Sequence, residues 1–332
     1  MIALPWPSWV AIACLAAAPL GLLGWTAALR CAPAWLLDAG VAVAIWRAGL
    51  RRAWLEVDGQ AWCYLDSGGD GEAVLLVHGY AANKESWLKL ATRLRGQGYR
   101  LLLPDLPGFG MSPPAADADY SIPAQTQRLR DFVRALGAGP LHLVGHSMGG
   151  YVAGNYAASF AEDLASAYLV APAGAEAGVP VLVQQRAASE GRNPLIVDSL
   201  ESFRATMALA MVRPPRVPAC LVQMIVERER PLRVLREIQA DFWGSVPLSE
   251  SLRGCEVPLR ILWGERDRIL PVASARALLA AMPSASLRLL PDVGHIPPLE
   301  AADELARDLV QFLSAHPAKG LFVRPGLSEP GR

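Results

Sequence analysis

Short, continuous apolar runs alternate along the chain with longer segments whose apolar residues recur every three or four positions. AVLLVHG (73–79), YRLLLPDL (99–106), LHLVGHS (141–147) and SAYLVAPAG (166–174) are runs of the first kind, and VPLRILWGE (257–265) and SLRLLPDVG (286–294) resume the pattern later. Between them the spacing predicts helices around 87–96, 122–136, 148–160, 272–282 and 298–314. Uninterrupted apolar strands separated by helices imply an α/β fold with a mostly parallel sheet, because each strand meets a helix layer on both faces instead of water. In the last helix Leu305, Leu309, Phe312 and Leu313 form one stripe, the face expected against the sheet. Ahead of the alternation, WLEVDGQAWCYLDSGG (54–69) reads as a hairpin turning at Asp58-Gly59.

The alternation lapses between 175 and 256. That stretch is too long for a loop and predicts a mainly helical cap inserted late in the sheet. The expected organisation is an α/β core over 53–174 and 257–316, a cap over 175–256, and a mobile Gly- and Pro-rich tail over 317–332.

The first 52 residues have a different pattern, and none of the first 29 carries a charged side chain. Residues 9–29 would extend about 31 Å as a helix, enough to cross a bilayer core of about 30 Å. No Lys or Arg precedes Arg30, whereas a cleaved secretory signal expects a basic start, so a retained membrane anchor is the better reading. Arg30, Arg47, Arg51 and Arg52 all follow the segment, which places the rest of the chain on the cytoplasmic side. Six of the ten tryptophans lie in the first 54 residues, where indole rings suit the headgroup level. Residues 32–46 contain Asp38 and are too short to span. They predict an interfacial helix with Arg47 and Arg51 one turn apart facing anionic lipid; the plainer alternative is an apolar helix packed on the domain.

Composition narrows the function classes. Lys plus Arg (31) equals Asp plus Glu (31), so no overall field draws the chain to nucleic acid, and no obligate protein partner is evident. Five scattered cysteines without CxxC or Cys/His spacing argue against a disulfide framework or a zinc site.

The chemistry must then be local, and GHSMGG (145–150) supplies a candidate. A G-x-S-x-G turn between a strand and a helix is so tight that Gly145 and Gly149 must avoid side-chain clashes, and Ser147 is pushed above the sheet edge. The Met148 N–H then sits at a helix N-terminus, where it can donate to a developing oxyanion. A serine hydroxyl needs a base, and the base needs an orienting carboxylate. Of the five histidines, His142 lies inside a strand, His146 inside the turn, and His316 at the edge of the tail. His78, in HGY (78–80), heads a loop whose Tyr80 N–H is placed as a second oxyanion donor. His295, between the last strand and the last helix, is the candidate base. Asp267, 28 residues before it in sequence, is the candidate orienting acid, with Glu265, Asp105 and Asp292 as lesser candidates; Asp105 is more simply read as tying down its own loop.

HGYAANKESW, DLPGFGMS, GHSMGG, LVAPAG, ILWGERDRILP and VGHIPPLE, in this order, resemble the α/β-hydrolase superfamily, and more narrowly its membrane-anchored monoacylglycerol lipases and related bacterial lipases. The resemblance covers most of 50–316. It implies Ser147, Asp267 and His295 as a catalytic triad and the Tyr80 and Met148 N–H groups as the oxyanion hole. Tyr80 stands where these lipases commonly have Phe, which leaves the backbone donor intact. Within the cap, Met207, Met211 and Met224 lie in apolar segments, and flexible thioethers suit an acyl-chain pocket. The expected reaction is ester hydrolysis through an acyl-enzyme on a lipid-like or other small ester, with no metal or organic cofactor. Carbon–carbon bond hydrolysis, acyl transfer to an alcohol, and ligand binding without catalysis are the rival readings on the same residues.

Overall fold

A computed structural model describes residues 33–115, 119–175, 193–228 and 245–318. Eight strands form one sheet: β1 (Arg51–Val57), β2 (Gln60–Asp66), β3 (Ala73–Val77), β4 (Arg100–Pro104), β5 (Leu141–His146), β6 (Leu164–Val170), β7 (Leu259–Gly264) and β8 (Ser286–Leu290), in the order β1-β2-β4-β3-β5-β6-β7-β8. The β1–β2 and β2–β4 pairings are antiparallel and the others are parallel. The β1–β2 hairpin turns in two residues, with Val57 opposite Gln60 and both Asp58 (φ 50°) and Gly59 (φ 77°) left-handed. That backbone twist matches the twist of the paired strands.

Among the described residues the α-helices are α1 (Pro33–Arg47), α2 (Leu88–Leu94), α3 (Ile122–Ala135), α4 (Met148–Ser159), α5 (Leu200–Ala210), α6 (Ala219–Arg228), α7 (Leu248–Ser251), α8 (Val272–Ala281), α9 (Pro297–Glu300) and α10 (Ala302–Ser314). Strand periodicity divides the core in two. Leu75 and Val77 of β3 face α3, α4 and α8 through Phe132, Val152 and Leu278, whereas Val74 and Leu76 face α2 and α10 through Leu90, Leu305 and Leu309. Central strands such as β3 and β5 are buried along their whole length because helices cover both faces. The described residues between β6 and β7 form α5, α6 and α7.

Three local expectations are corrected. Arg47 and Arg51 are not one helical turn apart: α1 ends at Arg47, Gly49 turns left-handed (φ 70°), Leu50 N–H returns to the Ile45 carbonyl, and Arg51 already begins β1. Glycine lets the helix close in this way without a Cβ clash. The last helix is broken at Ala301 (φ −135°), giving a short α9 before α10. The final strand stops at Leu290, and Pro291 to Gly294 form the loop that leads into His295.

Helix α1 touches the core through Ala44 and Ile45, while Trp35 and Trp46 are 66% and 74% exposed. The charge-free segment 9–29 lies outside the described residues, as does the tail from 319 onward. Among the described residues, no helix is long and apolar enough to cross a membrane.

Candidate active site

The turn from β5 into α4 carries Ser147 in a conformation few residues adopt, φ 53° and ψ −117°. Such strain persists only where surrounding contacts over-determine it. Ser147 N–H donates to the Val170 carbonyl (3.0 Å), and its own carbonyl accepts from Ala173 N–H (2.9 Å) and Tyr151 N–H (3.0 Å). The flanking glycines are required sterically: a side chain on Gly145 would collide with the Gly149 carbonyl, and one on Gly149 with the carbonyls of Val77 and His78. The second approach sets the loop after β3 directly against the start of α4.

Three residues far apart in sequence meet above this edge. His295 Nε2 lies 3.0 Å from Ser147 Oγ, and His295 Nδ1 lies 2.7 Å from Asp267 Oδ2. A carboxylate only accepts, so Nδ1 carries the proton and Nε2 is left to accept from the serine hydroxyl. The other Asp267 oxygen accepts the N–H groups of Ile269 (2.8 Å) and Leu270 (2.9 Å), which fixes the carboxylate plane. The Asp267 side chain has no exposed surface and His295 is 5% exposed, whereas Ser147 keeps partial access to solvent. With Oδ1 occupied by two backbone donors, the buried carboxylate turns Oδ2 to the imidazole.

His78, Gly79 and Tyr80 follow β3 beside the serine, and a Cβ on Gly79 would lie 3.1 Å from that of Ser147. Leu106 N–H donates to His78 Nε2 (3.1 Å), so Nδ1 bears the proton and donates to the Gly79 carbonyl (2.8 Å). Burial lowers the His78 pKa, in keeping with a neutral ring. With the Gly79 carbonyl turned towards His78, the Tyr80 N–H of the same trans peptide points the opposite way. The Met148 N–H occupies the first turn of α4, where no intrahelical acceptor exists.

The remaining candidates have other partners. His146 Nε2 donates to the His295 carbonyl (2.7 Å), and burial together with the neighbouring His295 ring pushes its pKa down to about 3. His142 sits between Ser166 and Glu72, and His316 bonds to the Phe312 carbonyl. Asp292 pairs with Arg266 on the surface. Asp105 is fully buried and accepts from Lys84 N–H, Lys84 Nζ (2.5 Å) and Met111 N–H, tying together the loops after β3 and β4. Burial alone would lower the Lys84 pKa, but the Asp105 and Glu85 carboxylates outweigh it and hold the ammonium above its ordinary value. Nothing in the spacing of HGYAANKESW marks Lys84 as a buried cation.

Met207 lines a cleft of 480 Å³ with Phe203, Pro214, Pro215, Val217 and Val222. Met211 is buried at the end of α5, and Met224 is half-buried on α6.

A sequence model of the alpha/beta hydrolase family matches residues 74–308, a span that includes the serine turn and both partner loops. The chain belongs to this family. Among its curated members, Lipase 1 of Psychrobacter immobilis is 33% identical over 264 residues, covering 77% of this chain and 81% of its own length. Monoacylglycerol lipase ABHD6 of Homo sapiens is 29% identical over 287 residues, covering 81% and 85%. Of solved structures, a membrane phospholipase A described as a bacterial virulence factor superposes with a TM-score of 0.79 at 31% identity, covering 91% of this chain and 97% of its own. A meta-cleavage product hydrolase superposes with a TM-score of 0.69 at 22% identity, a likeness of fold alone.

Proposed function

We propose that this alpha/beta hydrolase is a serine hydrolase that cleaves carboxylic esters of lipid-like substrates. The observation that carries the reading is the hydrogen-bonded chain Ser147–His295–Asp267. His295 removes the hydroxyl proton as Ser147 attacks the ester carbonyl, and Asp267 holds the imidazolium that forms. The Tyr80 and Met148 N–H groups receive the tetrahedral oxyanion. His295 then passes its proton to the leaving alcohol, and water, activated by the same imidazole, releases the acid and restores Ser147.

The choice of a lipid ester is supported by the relatives, which are named as lipases, monoacylglycerol lipases and a phospholipase. Residues 175–256 act as a cap on the core formed by 53–174 and 257–316, and Met207, Met211 and Met224 contribute to its acyl-chain contacts. The first 52 residues serve as a membrane anchor that leaves the catalytic domain on the cytoplasmic side. Support comes from the charge-free segment 9–29, the exposed Trp35 and Trp46 of α1, and the membrane named for the phospholipase relative.

The test is hydrolysis of p-nitrophenyl esters and monoacylglycerols of graded chain length, beside fluorophosphonate labelling. Ser147→Ala should abolish labelling and lower kcat by about 10⁵-fold or more while leaving the fold intact. Wild-type protein that neither labels nor turns over any ester would reject the proposal.

A further inference from the structure

Cap helix α5 ends against the two loops that carry Asp267 and His295. The last carbonyls of a helix have no partner within it, and here those partners come from outside the cap. Arg268, next to Asp267, donates to the carbonyls of Ala208 and Met211. His295 itself donates its backbone N–H to the Ala210 carbonyl at 2.7 Å. Just beyond the helix, Val212 N–H and Arg213 N–H donate to Glu300 Oε2 at 2.7 and 3.4 Å, and the other oxygen of that carboxylate accepts Gly294 N–H at 2.9 Å. Glu300 makes no ion pair among the described residues, so its charge is spent on three backbone donors. One comes from the base loop and two from the cap. The fit is close, since a Cβ on Gly294 would lie 2.5 Å from the Ala210 carbonyl and 2.8 Å from Glu300 Oε1.

We propose that Glu300 is a positioning residue for the ester-hydrolysing reaction, holding the His295 loop against the end of cap helix α5 so that the seat of the cap sets the distance from His295 to Ser147. Glu300 contacts no reacting atom. It acts through Gly294, the residue before His295, whose backbone is gripped on its other side by the His146 imidazole at the His295 carbonyl. Without the carboxylate, Gly294 N–H and Val212 N–H lose their acceptor, and the base loop is left tied to the cap by the hydrogen bond from His295 N–H to the Ala210 carbonyl, which loosens its position. Displacing a catalytic group by about 1 Å can cost about 10²-fold in rate.

The inference rests on the triad reading above, and the experiment separates the two. Wild type, Glu300→Gln, Glu300→Ala and Ser147→Ala are compared on a short soluble p-nitrophenyl ester, with fluorophosphonate labelling rates, thermal unfolding, and the low-field NMR signal of the His295 Nδ1 proton. Gln keeps one acceptor oxygen and Ala keeps none. The expected series is a kcat and labelling rate lowered about 10-fold in Glu300→Gln and about 10²-fold in Glu300→Ala, with KM changed less than about 3-fold and the Nδ1 proton signal broadened or shifted. A role confined to folding would lower Tm while leaving kcat per folded molecule and the proton signal at wild-type values. That outcome in either variant overturns the proposal. If wild type itself fails to label, the triad reading fails instead.

Discussion

Asp105 and Asp267 are both buried carboxylates just past a strand, the first after β4 and the second after β7, and the sheet presents them at the same edge. Their partners make them different devices. Asp105 faces a fully buried ammonium and two backbone donors, and its charge is neutralised in place by Lys84. Asp267 has no such cation among the described residues: two backbone N–H groups hold one oxygen, and the other meets an imidazole that can change its charge. A carboxylate paired with a permanent cation closes a loop. One paired with a titratable ring is free to stabilise a charge that appears only during reaction.

The sharpest way to break this comparison is Asp267→Asn. It should lower kcat by about 10⁴-fold, because an amide no longer enforces the tautomer that leaves Nε2 free to accept, with little change in Tm. Steady-state kinetics beside thermal unfolding would check both halves. Asp105→Asn should do the reverse, removing about 3 kcal/mol of stability by leaving the buried Lys84 ammonium with the partly exposed Glu85 as its remaining counter-charge, with kcat per folded molecule reduced less than about 10-fold. Denaturant titration would measure the loss. Combining Asp105→Asn with Lys84→Met should restore most of it, since a buried ion pair is often replaceable by apolar groups at little net cost.

The smallest effect is in pH. The Lys84 ammonium has a raised pKa in the folded state, so the stability it contributes is complete below its ordinary value of 10.5 and is lost as pH rises through the folded value. Buried Tyr156 and Tyr168, also raised, lose stability in the same direction. The Lys84 share is therefore the difference between wild type and the Lys84→Met, Asp105→Asn pair, which should unfold less steeply above about pH 10.5. Equal slopes in the two proteins would remove Lys84 from the account.

Much of this architecture was legible along the chain. Continuous apolar runs mark β3, β5 and β6, and the Leu305, Leu309, Phe312, Leu313 stripe faces the sheet as its spacing requires. The serine turn announces itself because Gly145 answers to the Gly149 carbonyl four residues on, whereas the need for Gly149 comes from the Val77 and His78 carbonyls, which only the packing of β3 beside β5 brings near. The break at Ala301 carries no proline or glycine to announce it, and the fate of Arg51 depended on a strand pairing with β2. Lys84 and Glu300 look like solvated charges in a one-dimensional reading; the burial of Lys84, its Asp105 partner and the cap partners of Glu300 come from elements distant along the chain.

What the sequence by itself determined are features set by local sterics and periodicity: the layers, the hairpin at Asp58-Gly59, the elbow at Ser147 and the residue types needed for acyl transfer. Only the tertiary structure decided which groups touch. Ser147 and His295 are 148 residues apart, and His295 and Asp267 are 28. The sheet order brings β5, β6, β7 and β8 side by side, so that the loops at their ends share one rim. Hydrogen bonds act over about 3 Å in space, with no regard to separation along the chain. The partners of Asp105, Asp267 and Glu300 could be assigned only once the strands had been placed.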